Sequence, residues 1–268
     1  MNEMKLQVLV STMHQVDHSL LQKMNIRTDA IVINQCDRNE IEEFDYNGHQ
    51  IQWLSLKERG VGLSRNSALA RATADILLFA DDDVVYNDDF HKTVIDFFEK
   101  HPSVGLAVFN LQSLNPDRPE YIVQKDHRLK WHNCLRYGAF RIAVRRECLI
   151  HNNVWFSLLF GGGAIYQAGE DNLFITDCIQ KGMHCMACKD SIGIVKQETS
   201  TWFKGYNEKY YKDRGALFAA LYGKMGYLIL SLFESRKRNA TADFGLAKRL
   251  RLGYAGIKRY LKMSKCKR

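Results

Sequence analysis

Residues Leu63–Asp83, LSRNSALARATADILLFADDD, decide how the chain is read. The alanine-rich segment Ser64–Thr73 predicts a helix, because alanine loses least on entering one. Ile76-Leu77-Leu78-Phe79 has no polar alternation and is too short for a helix of its own. It reads as a strand buried on both faces, as strands of parallel sheets are. Asp81, Asp82 and Asp83 then fall just past its carboxyl end, where open α/β sheets bind their ligands. Adjacent carboxylates repel one another unless a cation or hydrogen bonds compensate. Their hard oxygens suit Mg²⁺ or Mn²⁺, which bind through one or two carboxylates together with substrate phosphates. A solvated acidic turn is the plainer alternative, but it would not need so apolar a strand before it.

Outward from this centre, strands and helices alternate. Leu6–Ser11, Ala30–Asn34 and Ile51–Leu54 read as buried strands. Val16, Leu20, Leu21 and Met24 recur at helical spacing. Asp88 or Asp89 is placed to cap a helix containing Val94, Ile95, Phe97 and Phe98. Val104–Phe109 and Ile192–Val195 read as further strands, with Tyr137–Val144 an irregular candidate. This order predicts a mostly parallel sheet with helices on both faces. Trp131, Trp155, Phe156 and Phe160 read as core aromatics, with acceptor contact the alternative.

A second constellation is Phe160–Phe174, FGGGAIYQAGEDNLF. Gly161, Gly162 and Gly163 permit close backbone approach to a ligand. Glu170 and Asp171 open a helix, where carboxylates suit the positive end of the dipole. Helix-end charge alone would explain the pair, but not the glycines before it.

The run from Gly62 to Asp83 resembles the segment of family 2 glycosyltransferases in which a Ser-Arg-Asn helix leads to a strand and an Asp-x-Asp motif. The resemblance covers roughly residues 5–202 and implies the GT-A fold, a Rossmann-like α/β architecture using nucleotide-sugar donors. It implies that Asp83, with Asp81, holds the metal on the donor diphosphate, that Asp81 lies close to the ribose or sugar, and that Asp82 between them also meets the nucleotide sugar. It also implies that the glycine-rich loop, with Gly162 and Gly163, meets the acceptor, and that one carboxylate of Glu170-Asp171 is the base. By that match Asp171 comes first and Glu170 second. An acceptor hydroxyl is a weak nucleophile at neutral pH, so a carboxylate in hydrogen-bond reach must take its proton. A single displacement then inverts the anomeric centre, while metal and nearby cations stabilise the departing diphosphate. On the nucleotide side, Thr12 lies where relatives carry Pro-Thr-Tyr, and Asp37 where they carry Asp-Asp-Gly-Ser, as a uracil ligand. Arg65 matches the Arg-Asn pair and either reaches the nucleotide or forms a structural ion pair. QETSTW (Gln197–Trp202) resembles a third element. Gln197 stands near a histidine position of relatives and is a poorer ligand; Trp202 is placed for stacking on donor or acceptor, or for core packing.

Charge is divided unevenly. Residues 203–268 hold 17 Lys/Arg against 4 Asp/Glu, and residues 1–202 hold 21 against 26. The expected division is a catalytic domain over 1–205 and a helical, basic region over 206–268. Gly215–Phe233 carries only Lys224 as a charge, and an amphipathic stretch with Lys248, Arg249, Arg251, Lys258, Arg259 and Lys262 follows. Small and polar interruptions argue against a spanning helix and for helices packed on the body or lying at an anionic membrane surface. No zinc-finger, helix-turn-helix or aromatic RNA motif accompanies the cations, so nucleic acid is not the expected partner. Met1–Gln7 lacks the apolar core of a signal peptide, and the seven cysteines are expected as reduced, buried thiols; Cys178, His184, Cys185 and Cys188 lack zinc-ligand spacing.

The expected activity is transfer of a hexosyl or N-acetylhexosaminyl group from a UDP-sugar to a glycan or lipid-linked acceptor. The expected location is the inner face of the cell membrane, with oligomerisation open. A metal-dependent nucleotidyltransferase would want a glycine-rich, cationic triphosphate loop after the first strand. A non-enzymatic basic adaptor would leave both acidic clusters unexplained.

Overall fold

The computed structural model describes residues 3–197, 205–236 and 244–265. In chain order the elements are β1 (Leu6–Met13), α1 (Leu20–Lys23), β2 (Asp29–Gln35), β3 (Glu40–Tyr46), β4 (His49–Leu56), α2 (Val61–Leu69), β5 (Ile76–Asp81), β6 (Val84–Tyr86) and α3 (Phe90–Lys100). There follow β7 (Leu106–Ser113), β8 (His127–Arg128), β9 (Ile142–Arg145), α4 (Arg146–Asn152), α5 (Glu170–Gln180) and β10 (Cys185–Val195). Three helices close the chain: α6 (Glu208–Tyr222), α7 (Gly226–Arg236) and α8 (Leu246–Lys265).

One ten-stranded sheet runs β3-β4-β2-β1-β5-β9-β7-β10-β6, with β8 paired to β10. The half carrying β4, β2, β1 and β5 is parallel, and β9 lies antiparallel between β5 and β7. The architecture is α/β of the expected GT-A type, with a more mixed second half than the alternation predicts. Side-chain alternation along each strand feeds two cores. Val8, Val10, Val32 and Leu78 pack with Leu20, Leu21, Phe90 and Phe98 on one face. Leu9, Ile31, Leu77 and Phe79 pack with Ala68, Leu149 and Phe174 on the other. Helices therefore cover both faces.

Several expectations shift. The helix after Gly60 spans Val61–Leu69 rather than Ser64–Thr73. Only Leu20–Lys23 is helical near α1, and Val16 is exposed. Asp89 precedes α3 without a side-chain capping bond, while Asp88 pairs with Arg27 at 2.8 Å. The Tyr137–Val144 candidate resolves into a 3₁₀ turn at Ala139–Arg141 followed by β9. Phe156 and Phe160 are buried as core residues, but Trp131 and Trp155 are exposed and contribute nothing to it. Cys178, Cys185 and Cys188 are buried free thiols.

The closing helices form a compact unit. By length and composition Glu208–Arg236 could cross a membrane, with mean hydropathy 1.6. The structure folds it back on itself instead. Gly223 takes φ +57, in the left-handed region that glycine enters without a steric penalty. As a result the Phe218 and Phe233 rings lie 5.3 Å apart, and Arg214 of α6 pairs with Glu234 of α7. Arg249 of α8 meets the same carboxylate at 3.3 Å. Helix α8 crosses α6 at Gly215 and Gly253; a Cβ at Gly215 would lie 1.9 Å from the Gly253 carbonyl oxygen.

Candidate active site

Strands β1 and β5 run in register, with Ser11 beside Asp81, so both end at one edge of the sheet. A cavity of about 1160 Å³ opens there. Its floor carries Thr12, Asp81, Asp82 and Asp83, and its far wall carries Gly162, Glu170 and Asp171. Thus the two acidic clusters, some ninety residues apart in sequence, face one space.

Arg65 joins them. It projects from α2, is 3% exposed, and donates to Asp81 Oδ1 at 2.7 Å and to Glu170 Oε1 at 2.9 Å. Both terminal nitrogens are thereby engaged, which favours the ion-pair reading of Arg65 over direct nucleotide contact. Its Nε has no hydrogen-bond partner. Thr12 donates its hydroxyl to Asp82 at 2.6 Å. Asp83 has no ion-pair partner among the described residues. Burial first, then Asp81 and Asp82, push its carboxyl up to about 6. The chemistry of this donor set fits a divalent cation: Asp83 offers a hard oxygen that has no ion-pair partner among the described residues and feels the charges of Asp81 and Asp82. Among the described residues no group of three or more His, Cys, Asp or Glu could hold a metal. A cation here would need the donor phosphates to complete its shell.

The Glu170-Asp171 pair is differentiated by its surroundings. Glu170 is held by Arg65, whereas Asp171 forms no ion pair among the described residues and accepts from the Asn172 backbone N–H at 2.7 Å. Burial first, then the Glu170 charge, push Asp171 up to about 7. A carboxyl that exchanges its proton near neutrality suits a general base.

The glycine loop docks on the start of α2, where Val61 N–H donates to the Gly162 carbonyl at 2.9 Å. Gly161 sits at φ +104, and a Cβ there would lie 2.7 Å from Val61 Cγ1 and 2.9 Å from the Glu170 carboxyl. The loop needs glycine because it threads between α2 and the Glu170 carboxylate. Gly162 lines the cavity and Gly163 is exposed outside it. Asp37 is also exposed and away from the cavity; Gln35, at the end of β2, lines it instead and accepts from Gly60 N–H at 2.7 Å. The Gln197 amide donates to Glu120 at 2.7 Å, and Gln197 takes φ +49. Trp202 lies outside the described residues.

Sequence reasoning missed part of the wall. Arg118, Arg136 and Lys196 add cations to it. Helix α6 adds Tyr210, Asp213, Arg214 and Leu217. Asp213 accepts from the Gln167 backbone at 3.0 Å, and Lys209 donates to the Ile165 carbonyl at 2.8 Å, so α6 clamps the loop leading to Glu170. The boundary expected at residue 205 therefore separates α6 from a cavity whose wall it helps to form.

A glycosyl transferase family 2 model matches residues 10–150. No curated protein matches significantly. Among solved structures, S. aureus TarS 1–349 in complex with UDP superposes with TM-score 0.63 at 16% identity, covering 99% of this chain and 92% of that one. The same protein in complex with UDP-GlcNAc gives 0.61 at 18%, covering 86% and 71%. Full TarS gives 0.60 at 17%, covering 89% of this chain and 44% of that one. At these identities the superpositions show a shared fold. The family match spans more than half of the chain and takes in Arg65 and the three aspartates after β5, and on that basis the chain belongs to the family 2 glycosyltransferases.

Proposed function

We propose that the cavity transfers a sugar from a UDP-sugar to an acceptor hydroxyl with inversion, Asp171 acting as base. One observation carries the reading: Arg65 binds Glu170 and leaves Asp171 facing the cavity without an ion-pair partner and with its proton affinity near neutrality. The TarS structures, solved with UDP and UDP-GlcNAc on the same fold, support uridine as the donor nucleotide.

In this reading Thr12 and Gln35 border the nucleoside end, and Asp81 and Asp83 border the diphosphate. Mn²⁺ or Mg²⁺ bound through Asp83 and Asp81 would neutralise charge on the leaving diphosphate. Asp171 takes the acceptor hydroxyl proton. The acceptor oxygen bonds to the anomeric carbon as the bond from that carbon to the diphosphate oxygen breaks, its electron pair leaving with UDP. Lys196, at the cavity edge beside Asp83, supplies a positive charge toward the departing phosphates. Glu170 acts as a positioning residue: through Arg65 it fixes the opening of α5 against the end of β5.

The test is a panel of UDP-sugars incubated with the protein and Mn²⁺, read as UDP release. Metal-dependent release from at least one, suppressed by EDTA, is expected. Release from none of the panel, with GDP-sugars turned over instead, would overturn the uridine assignment.

A further inference from the structure

We propose that the outer face of α7 is a docking strip for an anionic lipid bilayer. Met225, Leu228 and Leu232 are 63%, 59% and 49% exposed, spaced to lie along one side of the helix. The inner side is occupied: Gly226, Leu230 and Glu234 are buried against α6 and α8. A monomer normally leaves no such run of large apolar side chains in water without a partner.

Charge identifies the occupant. Lys224 and Arg236 mark the two ends of the strip, and both are exposed. Helix α8 lies alongside, its Tyr254 hydroxyl 2.6 Å from Ser231 Oγ. On α8 the exposed Arg251 and Lys258 flank Tyr254 by one helical turn on either side. The only acid in α7 and α8 is Glu234, which is 1% exposed and paired to Arg214 and Arg249. The surface of these two helices therefore offers apolar groups and cations and no exposed carboxylate. That pattern complements a bilayer interface with anionic headgroups. A second copy placed on the strip would bring like charges together. The two helices of the hairpin have 15 and 11 residues, each short of the roughly twenty that a span requires, so the contact is interfacial.

The same placement bears on catalysis. Helix α6 lines the cavity, and α7 packs on it with its own outward side bare. A bilayer on α7 would lie against the helical unit that forms part of the cavity wall.

The test is co-sedimentation of the full chain with phosphatidylcholine vesicles, with and without phosphatidylglycerol, at low and high salt. Binding to the anionic vesicles that weakens as salt rises is expected. Leu228→Glu/Leu232→Glu should abolish it while UDP-sugar turnover in solution is kept; both side chains are exposed and neither touches the cavity. Arg251→Gln/Lys258→Gln should weaken it by roughly fivefold per charge. Equal partitioning of the wild type onto neutral and anionic vesicles would overturn the proposal. So would a wild-type dimer in sedimentation velocity that the leucine variant dissolves, with no vesicle binding by either form; a second copy would then be the occupant.

Discussion

Two clusters of charge, one in the closing helices and one at the sheet edge, are built on opposite terms. In the closing helices one carboxylate, Glu234, is buried between two guanidinium groups, Arg214 and Arg249. At the sheet edge one guanidinium, Arg65, meets Asp81 and Glu170, while Asp83 and Asp171 remain unpaired and hold their protons unusually tightly. The first arrangement fixes a helix packing. The second keeps two carboxylates in an unfavourable state that a bound cation or an incoming proton relieves. Charge count alone would not separate structure from function here; the ratio of partners does.

The largest effect expected from this contrast is on Asp171. Asp171→Asn should lower transfer by about 10²–10⁴ while donor affinity holds, measured as initial rate against UDP binding. Glu170→Gln should instead loosen the Arg65 bridge and reduce stability. An active Asp171→Asn beside a dead, folded Glu170→Gln would reverse the two roles.

Next in size is the buried triad. Glu234→Ala strands two arginines in the helix unit, and breaking a buried ion pair typically costs about 3–5 kcal/mol. Urea or thermal unfolding should show that loss. An unchanged midpoint would mean that water reaches the triad and the helices are not closed around it.

Smallest is a dependence on pH. Asp83 and Asp171 both bind protons more tightly folded than unfolded. The folded state therefore carries more protons between the ordinary aspartate value near 4 and the raised values near 6 and 7. Stability contributed by these groups is present at the acid end and is lost as pH rises through that window. After discounting for solvent screening, Asp171→Asn should recover on the order of 1–3 kcal/mol at pH 8 relative to pH 5 in the absence of ligands. Unfolding midpoints of wild type and variant at the two values check it. The same titration predicts that transfer rises with pH through about 7, as Asp171 loses its proton.

How much of this the sequence reveals depends on how local each signal is. The apolar run Ile76–Phe79 and the acids after it translate directly into β5 and the cavity floor, because a strand buried on both faces leaves no alternative period. Helix α5 is similarly legible from Glu170-Asp171. The hairpin β3–β4 is not read from hydrophobicity, since β3 (EIEEFDY) is a polar edge strand. Its signal is Asn47-Gly48, both at positive φ, the pair that two-residue hairpins favour. The pairing of Arg65 with both acidic clusters spans 105 residues to Glu170 and has no local signature. Nor has the clamp of Asp213 on Gln167, so the sequence does not reveal that α6 of the closing helical region lines the cavity. Asp37 lies in a polar run after β2 that reads as a ligand loop, and it is exposed where the chain leads into β3.

In the proposed site Asp83, which has no ion-pair partner among the described residues, would hold a cation against the donor diphosphate. Calorimetric titration of UDP into the wild type and Asp83→Asn, each with Mn²⁺ and with EDTA, tests it directly. Mn²⁺ is expected to tighten UDP binding at least about tenfold in the wild type, and the increment to vanish in a folded Asp83→Asn protein. An undiminished Mn²⁺-dependent increment in that variant would contradict it.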